Sequence, residues 1–76
     1  MNPKLFNAYF DRGLLFEKEG SIEDAVTDYQ ESVRLQPTVQ GYLQLTGALQ
    51  KLNRMAEAQS FYERARQLAS DPNVMH

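Results

Sequence analysis

The chain has no cysteine, a single histidine and no run of lysine or arginine. Without cysteine, disulfides and thiolate chemistry are excluded, and the redox compartment leaves no mark on the sequence. Without a basic run, nothing tracks a phosphate backbone, which argues against nucleic acid as a main partner. The 8 basic and 10 acidic residues are spread along the chain and nearly balance, at a net charge of −2. Apolar stretches are only a few residues long, well short of a membrane span, so no membrane partner is expected. The opening Met1-Asn2-Pro3-Lys4 lacks the charged region and apolar block of a secretory signal, and a cytoplasmic location is the default expectation. Glycines 13, 20, 41 and 47 are isolated, so there is no glycine-rich phosphate loop. The one histidine, His76, is the last residue and is poorly placed for catalysis or metal ligation. Glu17 and Glu23-Asp24 are accounted for by helix faces and helix starts. These shortages predict no cofactor, no metal and no enzymatic activity.

What remains is an ordinary folding composition, 42% hydrophobic and 24% charged over 76 residues. That is too apolar for a disordered chain and long enough for one domain, residues 1–76. A chain of this size buries only about 60% of its unfolded surface, so its own core gives marginal stability.

The main signal is an internal repeat, because the chain aligns with itself at a shift of 33 residues. Tyr9 meets Tyr42, Ala25 meets Ala58, Tyr29 meets Tyr62 and Leu35 meets Leu68. Phe16 and Leu49, Gly20 and Asn53, Ile22 and Met55, and Ser32 and Ala65 pair by type. Chance supplies one or two such pairs, not eight in one register. Repeat one covers about 3–37, repeat two about 38–70, and residues 71–76 form a tail.

Each repeat reads as two helices. The first opens at Asn2-Pro3, an N-cap followed by proline at the first helical position, and stops at Gly20. The second opens at Ser21-Ile22-Glu23-Asp24, where Ser21 is expected to cap and the acids suit the positive end of the helix dipole. It puts Ile22, Ala25, Val26, Tyr29, Ser32 and Val33 on one face and ends near Leu35, before Pro37. A third helix is expected from about Val39 to Leu52 with Asn53 as its stop, and a fourth from about Met55 to Ala69. No segment alternates as a strand does. The fold class is all-α, two helix-turn-helix hairpins stacked in series.

These residues resemble the tetratricopeptide repeat family. Repeat one carries Tyr9-x-x-Arg12-Gly13-x-x-Phe16, then Ala25-x-x-x-Tyr29, then Pro37; repeat two carries Tyr42-x-x-Leu45-Thr46-x-x-Leu49 and Ala58-x-x-x-Tyr62. The resemblance runs from about Pro3 to Leu68 and implies a short right-handed helical solenoid. Gly13, Ala25 and Ser32 are small where antiparallel helices must cross closely, and Thr46, Ala58 and Ala65 repeat that solution. Tyr9, Phe16 and Tyr29, then Tyr42, Leu49 and Tyr62, are expected to fill the space around each crossing.

Three positions depart from the pattern. Arg12 replaces the usual leucine, and Gln59 and Arg66 stand where repeat one has Val26 and Val33. An open end of a repeat stack needs a polar outer face. All three therefore read as capping substitutions of a two-repeat stack. The alternative is drift in a piece of a longer protein, and Asp71-Pro72-Asn73 resembles a connection toward another helix. The link between repeats is also one residue short: Pro37 to Thr46 spans 9 residues against 10 from Pro3 to Gly13.

The resemblance also implies a function. In this family the first helix of each repeat lines a concave groove that binds a peptide or helix of a partner protein. That face would carry Asn7, Phe10, Leu14 and Glu17 in repeat one, and Gln40, Leu43, Gly47 and Gln50 in repeat two. Phe10, Leu14 and Leu43 are large apolar groups on a face the core does not need, and such patches mark contacts. One subclass grips the C-terminal carboxylates of chaperones with Lys, Arg and Asn; Phe10, Leu14 and Gln44 stand at three of those positions, so that ligand is not supported. An apolar or amphipathic segment is the better expectation. The competing reading is self-assembly as a homo-oligomer, through the groove or an open end of the stack.

Overall fold

The structure is a computed structural model that describes residues 5–70. It consists of α1 (Leu5–Lys18), α2 (Ile22–Leu35), α3 (Val39–Lys51) and α4 (Met55–Ser70), with no strand among the described residues. The Asn2-Pro3 helix start expected from the sequence lies outside these residues. Each helix packs on the next in chain order, α1 on α2, α2 on α3 and α3 on α4.

The turns of the two hairpins are built alike. Gly20 has φ 86° and Asn53 has φ 60°, both in the left-handed region. Behind each, paired backbone bonds close the helix end: Ser21 N–H to Phe16 O at 2.8 Å and Gly20 N–H to Glu17 O at 3.1 Å. In the second hairpin they are Arg54 N–H to Leu49 O at 2.9 Å and Asn53 N–H to Gln50 O at 3.0 Å. This is the glycine-type helix stop, with asparagine the other residue that tolerates it.

The helix starts differ. Thr38 caps α3, its Oγ1 accepting from Gly41 N–H at 2.9 Å. Ser21, expected to cap α2 through its hydroxyl, makes no side-chain cap bond; only its carbonyl accepts, from Ala25 N–H at 3.0 Å. With φ −85° and ψ 68° it is not in the extended conformation that aims a cap hydroxyl back at the first turn.

The core is Ala25, Val26, Tyr29 and Val33 of α2, Tyr42, Leu45, Ala48 and Leu49 of α3, and Ala58 and Ala65 of α4. The small residues sit at the helix crossings as expected. A Cβ on Gly13 would lie 2.6 Å from Cε1 of Tyr29, so glycine is what lets α1 reach the ring. Ser32 ties the same crossing together, donating to the Phe6 carbonyl at 2.9 Å. Tyr62 corrects the sequence reading. It was expected to fill the second repeat as Tyr29 fills the first, yet it is 42% exposed while Tyr29 is fully buried. Tyr29 is sandwiched because α2 packs between α1 and α3, whereas the main packing of α4 is on α3 alone.

Arg12 also has a partner that spacing did not show. Its Nε and Nη2 donate to the two carboxylate oxygens of Asp28 at 2.7 and 2.8 Å. Asp28 lies on the buried face of α2, while the Arg12 side chain is largely in solvent across the rings of Tyr9 and Phe16. In the 33-residue register these two positions are Leu45 and Phe61 of the second repeat. An ion pair in one hairpin thus occupies the place of an apolar pair in the other.

Candidate partner-binding groove

The first helices of the two hairpins are tied together near their C-terminal ends. Lys51 Nζ of α3 reaches Glu17 Oε2 of α1 at 2.6 Å, bridging one repeat to the next. Helices rise one turn every 3–4 residues, so one turn back from this bridge α1 presents Leu14 and α3 presents Gly47. A further turn back lie Phe10 and Leu43.

The eight expected groove residues divide by exposure. Asn7, Leu14, Gln40, Leu43 and Gln50 are exposed, with Leu14 at 39% and Leu43 at 44%. Gly47 is partly covered, but a Cβ built on it meets nothing within 4 Å, so the space above it is open. Phe10 and Glu17 are only half exposed because each has a second task. Phe10 packs on the core with its ring 5.6 Å from that of Tyr29 at 50°, so the sequence reading that the core does not need it is corrected.

Glu17 links α1 both to the core and to α3. Its Oε1 accepts from the Tyr29 hydroxyl at 2.6 Å while Oε2 accepts from Lys51. Burial works against its charge, but the bonds from Lys51 and Tyr29 outweigh it and hold the carboxyl below its ordinary range. Burial, and next the neighbouring Glu17, push the Tyr29 phenol well above its ordinary range. Sequence spacing gave no sign of this trio, because Lys51 lies 34 residues from Glu17 and only the inter-repeat packing joins them. No group of His, Asp and Glu able to hold a metal occurs among the described residues.

A recess of about 280 Å³ opens between α3 and α4, lined by Val39, Leu43, Tyr62, Ala65, Arg66 and Ala69. Leu43, one of the eight expected groove residues, thus also lines the open side of the second hairpin.

Paired antiparallel helices in a fixed register, with a chain of side chains running between the pairs, define a helical repeat protein. The chain belongs to the tetratricopeptide repeat family, whose model matches residues 6–39 and again residues 39–72. The two matches share residue 39, consistent with a repeat spacing one residue shorter than each match. Repeats of this family generally serve protein–protein interaction, and the family is a non-catalytic scaffold family. No curated protein and no solved structure shows a significant match to the chain. No helix among the described residues is long and apolar enough to cross a membrane.

Proposed function

We propose that the face shared by α1 and α3 holds an apolar or amphipathic helix or peptide of a partner protein. The observation that carries this is the exposure of Leu14 and Leu43 on neighbouring helices, with the open space of Gly47 between their levels. Two leucines held in solvent by a rigid scaffold lower the free energy of any ligand that covers them, at about 25 cal/mol per Å² of apolar surface. The flanking Asn7, Gln40 and Gln50 supply a neutral polar rim, which favours an apolar ligand over a charged one.

The test is fluorescence titration with a panel of labelled amphipathic helical peptides of graded hydrophobicity. Binding should weaken roughly tenfold or more in Leu14→Asp and in Leu43→Asp, a loss of about 1.4 kcal/mol. Leu15→Asp, on a different face of α1, should leave it unchanged. Equal binding by all three variants would place the ligand elsewhere.

A further inference from the structure

A recess of about 260 Å³ opens where the two hairpins meet, lined by Gln30, Val33 and Arg34 of α2, Tyr42 of α3, and Phe61 and Arg64 of α4. Its walls come from both hairpins, so it exists only because they stack. None of the lining residues lies on α1, which separates it from the α1–α3 face. A neighbouring recess of about 360 Å³ shares Tyr42 and Arg64 and runs on to Pro37 and Leu68. The wall common to both is aromatic: the Tyr42 and Phe61 rings stack with centroids 6.2 Å apart at 22°.

Two polar groups here have no partner among the described residues. Tyr42 is only 9% exposed, yet its hydroxyl makes no hydrogen bond there. Every fully enclosed side-chain oxygen and nitrogen is bonded, so this hydroxyl must reach solvent, and the recesses are where Tyr42 does so. Arg64 forms no ion pair with a described residue; its guanidinium is held instead 5.4 Å from the centre of the Phe61 ring. Arg34, by contrast, is engaged by Glu31. No acid lines either recess, although the chain carries a net charge of −2. In the 33-residue register Phe61 and Arg64 answer to Asp28 and Glu31, so this ring and this cation are particular to the second repeat.

The geometry points to a second docking site in these recesses, taking an acidic segment of a partner protein in which a glutamate or aspartate adjoins an apolar side chain. The carboxylate accepts from the Arg64 guanidinium and the Tyr42 hydroxyl, and the apolar neighbour covers Val33 and the Phe61 ring. Bonds to a charged acceptor are the stronger kind, and both donors are held in place beforehand, Tyr42 by its burial and Arg64 by the ring beneath it. One unpaired guanidinium and one hydroxyl match a carboxylate's unit charge. A phosphate carries nearly twice that charge, and Arg34 is already engaged. The first recess is smaller than the roughly 300–1,000 Å³ of small-molecule sites, so it takes a side chain of a longer ligand.

The experiment is an NMR titration of the isotope-labelled 76-residue chain with three short peptides blocked at both ends. They differ at one residue before a leucine, which is glutamate, glutamine or phosphoserine. The glutamate peptide should shift the amides around Val33, Tyr42, Phe61 and Arg64 and bind at least tenfold more tightly than the glutamine peptide. Arg64→Gln, an exposed position where helix is kept, should remove that advantage, and Tyr42→Phe should reduce it several-fold while keeping the ring. Arg54→Gln, the same loss of charge at the turn between α3 and α4, should leave it intact. Circular dichroism confirms that each variant is folded, and Arg64→Gln decides alone should Tyr42→Phe lose helix. Equal binding of the glutamate and glutamine peptides overturns the proposal. So does tighter binding of the phosphoserine peptide, an advantage that survives Arg64→Gln, or shifts confined to the α1–α3 face.

Discussion

The Arg12 guanidinium grips both oxygens of Asp28, and the same two positions 33 residues later are Leu45 and Phe61. One backbone geometry is thus satisfied by opposite chemistries. Leu45 is fully buried under the α2–α3 joint, while Arg12 faces solvent at the open side of α1, where a charged head stays hydrated.

Removing only one member of this pair should be worse than removing both. In Arg12→Leu the buried Asp28 carboxylate loses both its donors, and a stranded buried charge is costly. Its melting temperature should fall by roughly 5 °C or more. The double change Arg12→Leu with Asp28→Phe copies the second repeat and should recover most of the loss. Thermal melts of the three proteins check the ordering.

Gly13 and Gly47 should respond oppositely to alanine, although both lie within helices. Alanine gains about 1 kcal/mol of helix propensity over glycine at either site. At Gly47 nothing opposes that gain, and Gly47→Ala should be stabilising. At Gly13 the new methyl meets the buried Tyr29 ring at 2.6 and 2.7 Å, an overpacking that costs about 1–3 kcal/mol. Gly13→Ala should therefore be destabilising, as read by urea denaturation midpoints.

The groove residues should separate into two groups. Tyr29→Ala should cost about 3 kcal/mol or more, and Phe10→Ala should also cost measurable stability because its ring rests on Tyr29. Leu14→Ala and Leu43→Ala should each cost less than about 1 kcal/mol and yet weaken peptide binding. Paired denaturation and binding measurements on the four variants decide it. Leu14→Ala and Leu43→Ala variants as unstable as Tyr29→Ala would make the patch core.

Acid should loosen the contact between the repeats. The Glu17 carboxyl titrates below its ordinary value of 4.5 in the folded chain, so its contribution is present above that pH. The contribution is lost as pH falls through the lowered folded value. Glu17→Gln should flatten that part of the stability-versus-pH curve, measured as denaturation midpoints between about pH 2 and 6. A curve of unchanged slope would show that the Lys51 bridge adds nothing.

Much of the fold was legible in the sequence. The 33-residue self-alignment located both hairpins, and Gly20 and Asn53 marked the two helix stops because few residues tolerate positive φ. Of the face Ile22, Ala25, Val26, Tyr29, Ser32, Val33, all but the half-buried Ile22 are buried as helical spacing predicts, and Asp28 joins them with Arg12 reaching over to neutralise it. The groove was less legible. Periodicity placed Leu14 and Leu43 on an outward face, but gave no sign that Phe10 stacks on Tyr29 or that Glu17 is tied to Lys51.

Tyr29 and Tyr62 mark the boundary between what each level decides. By sequence they are the same residue at the same point of the same repeat, and both were expected in the core. The sequence by itself determined the helices and their stops, because those follow from local dihedral preferences and a 3.6-residue period. It did not determine which faces would be covered. Burial belongs to a residue and its neighbours together, and only the packing of α3 on α2 put Tyr29 in the interior while Tyr62 stayed at the surface.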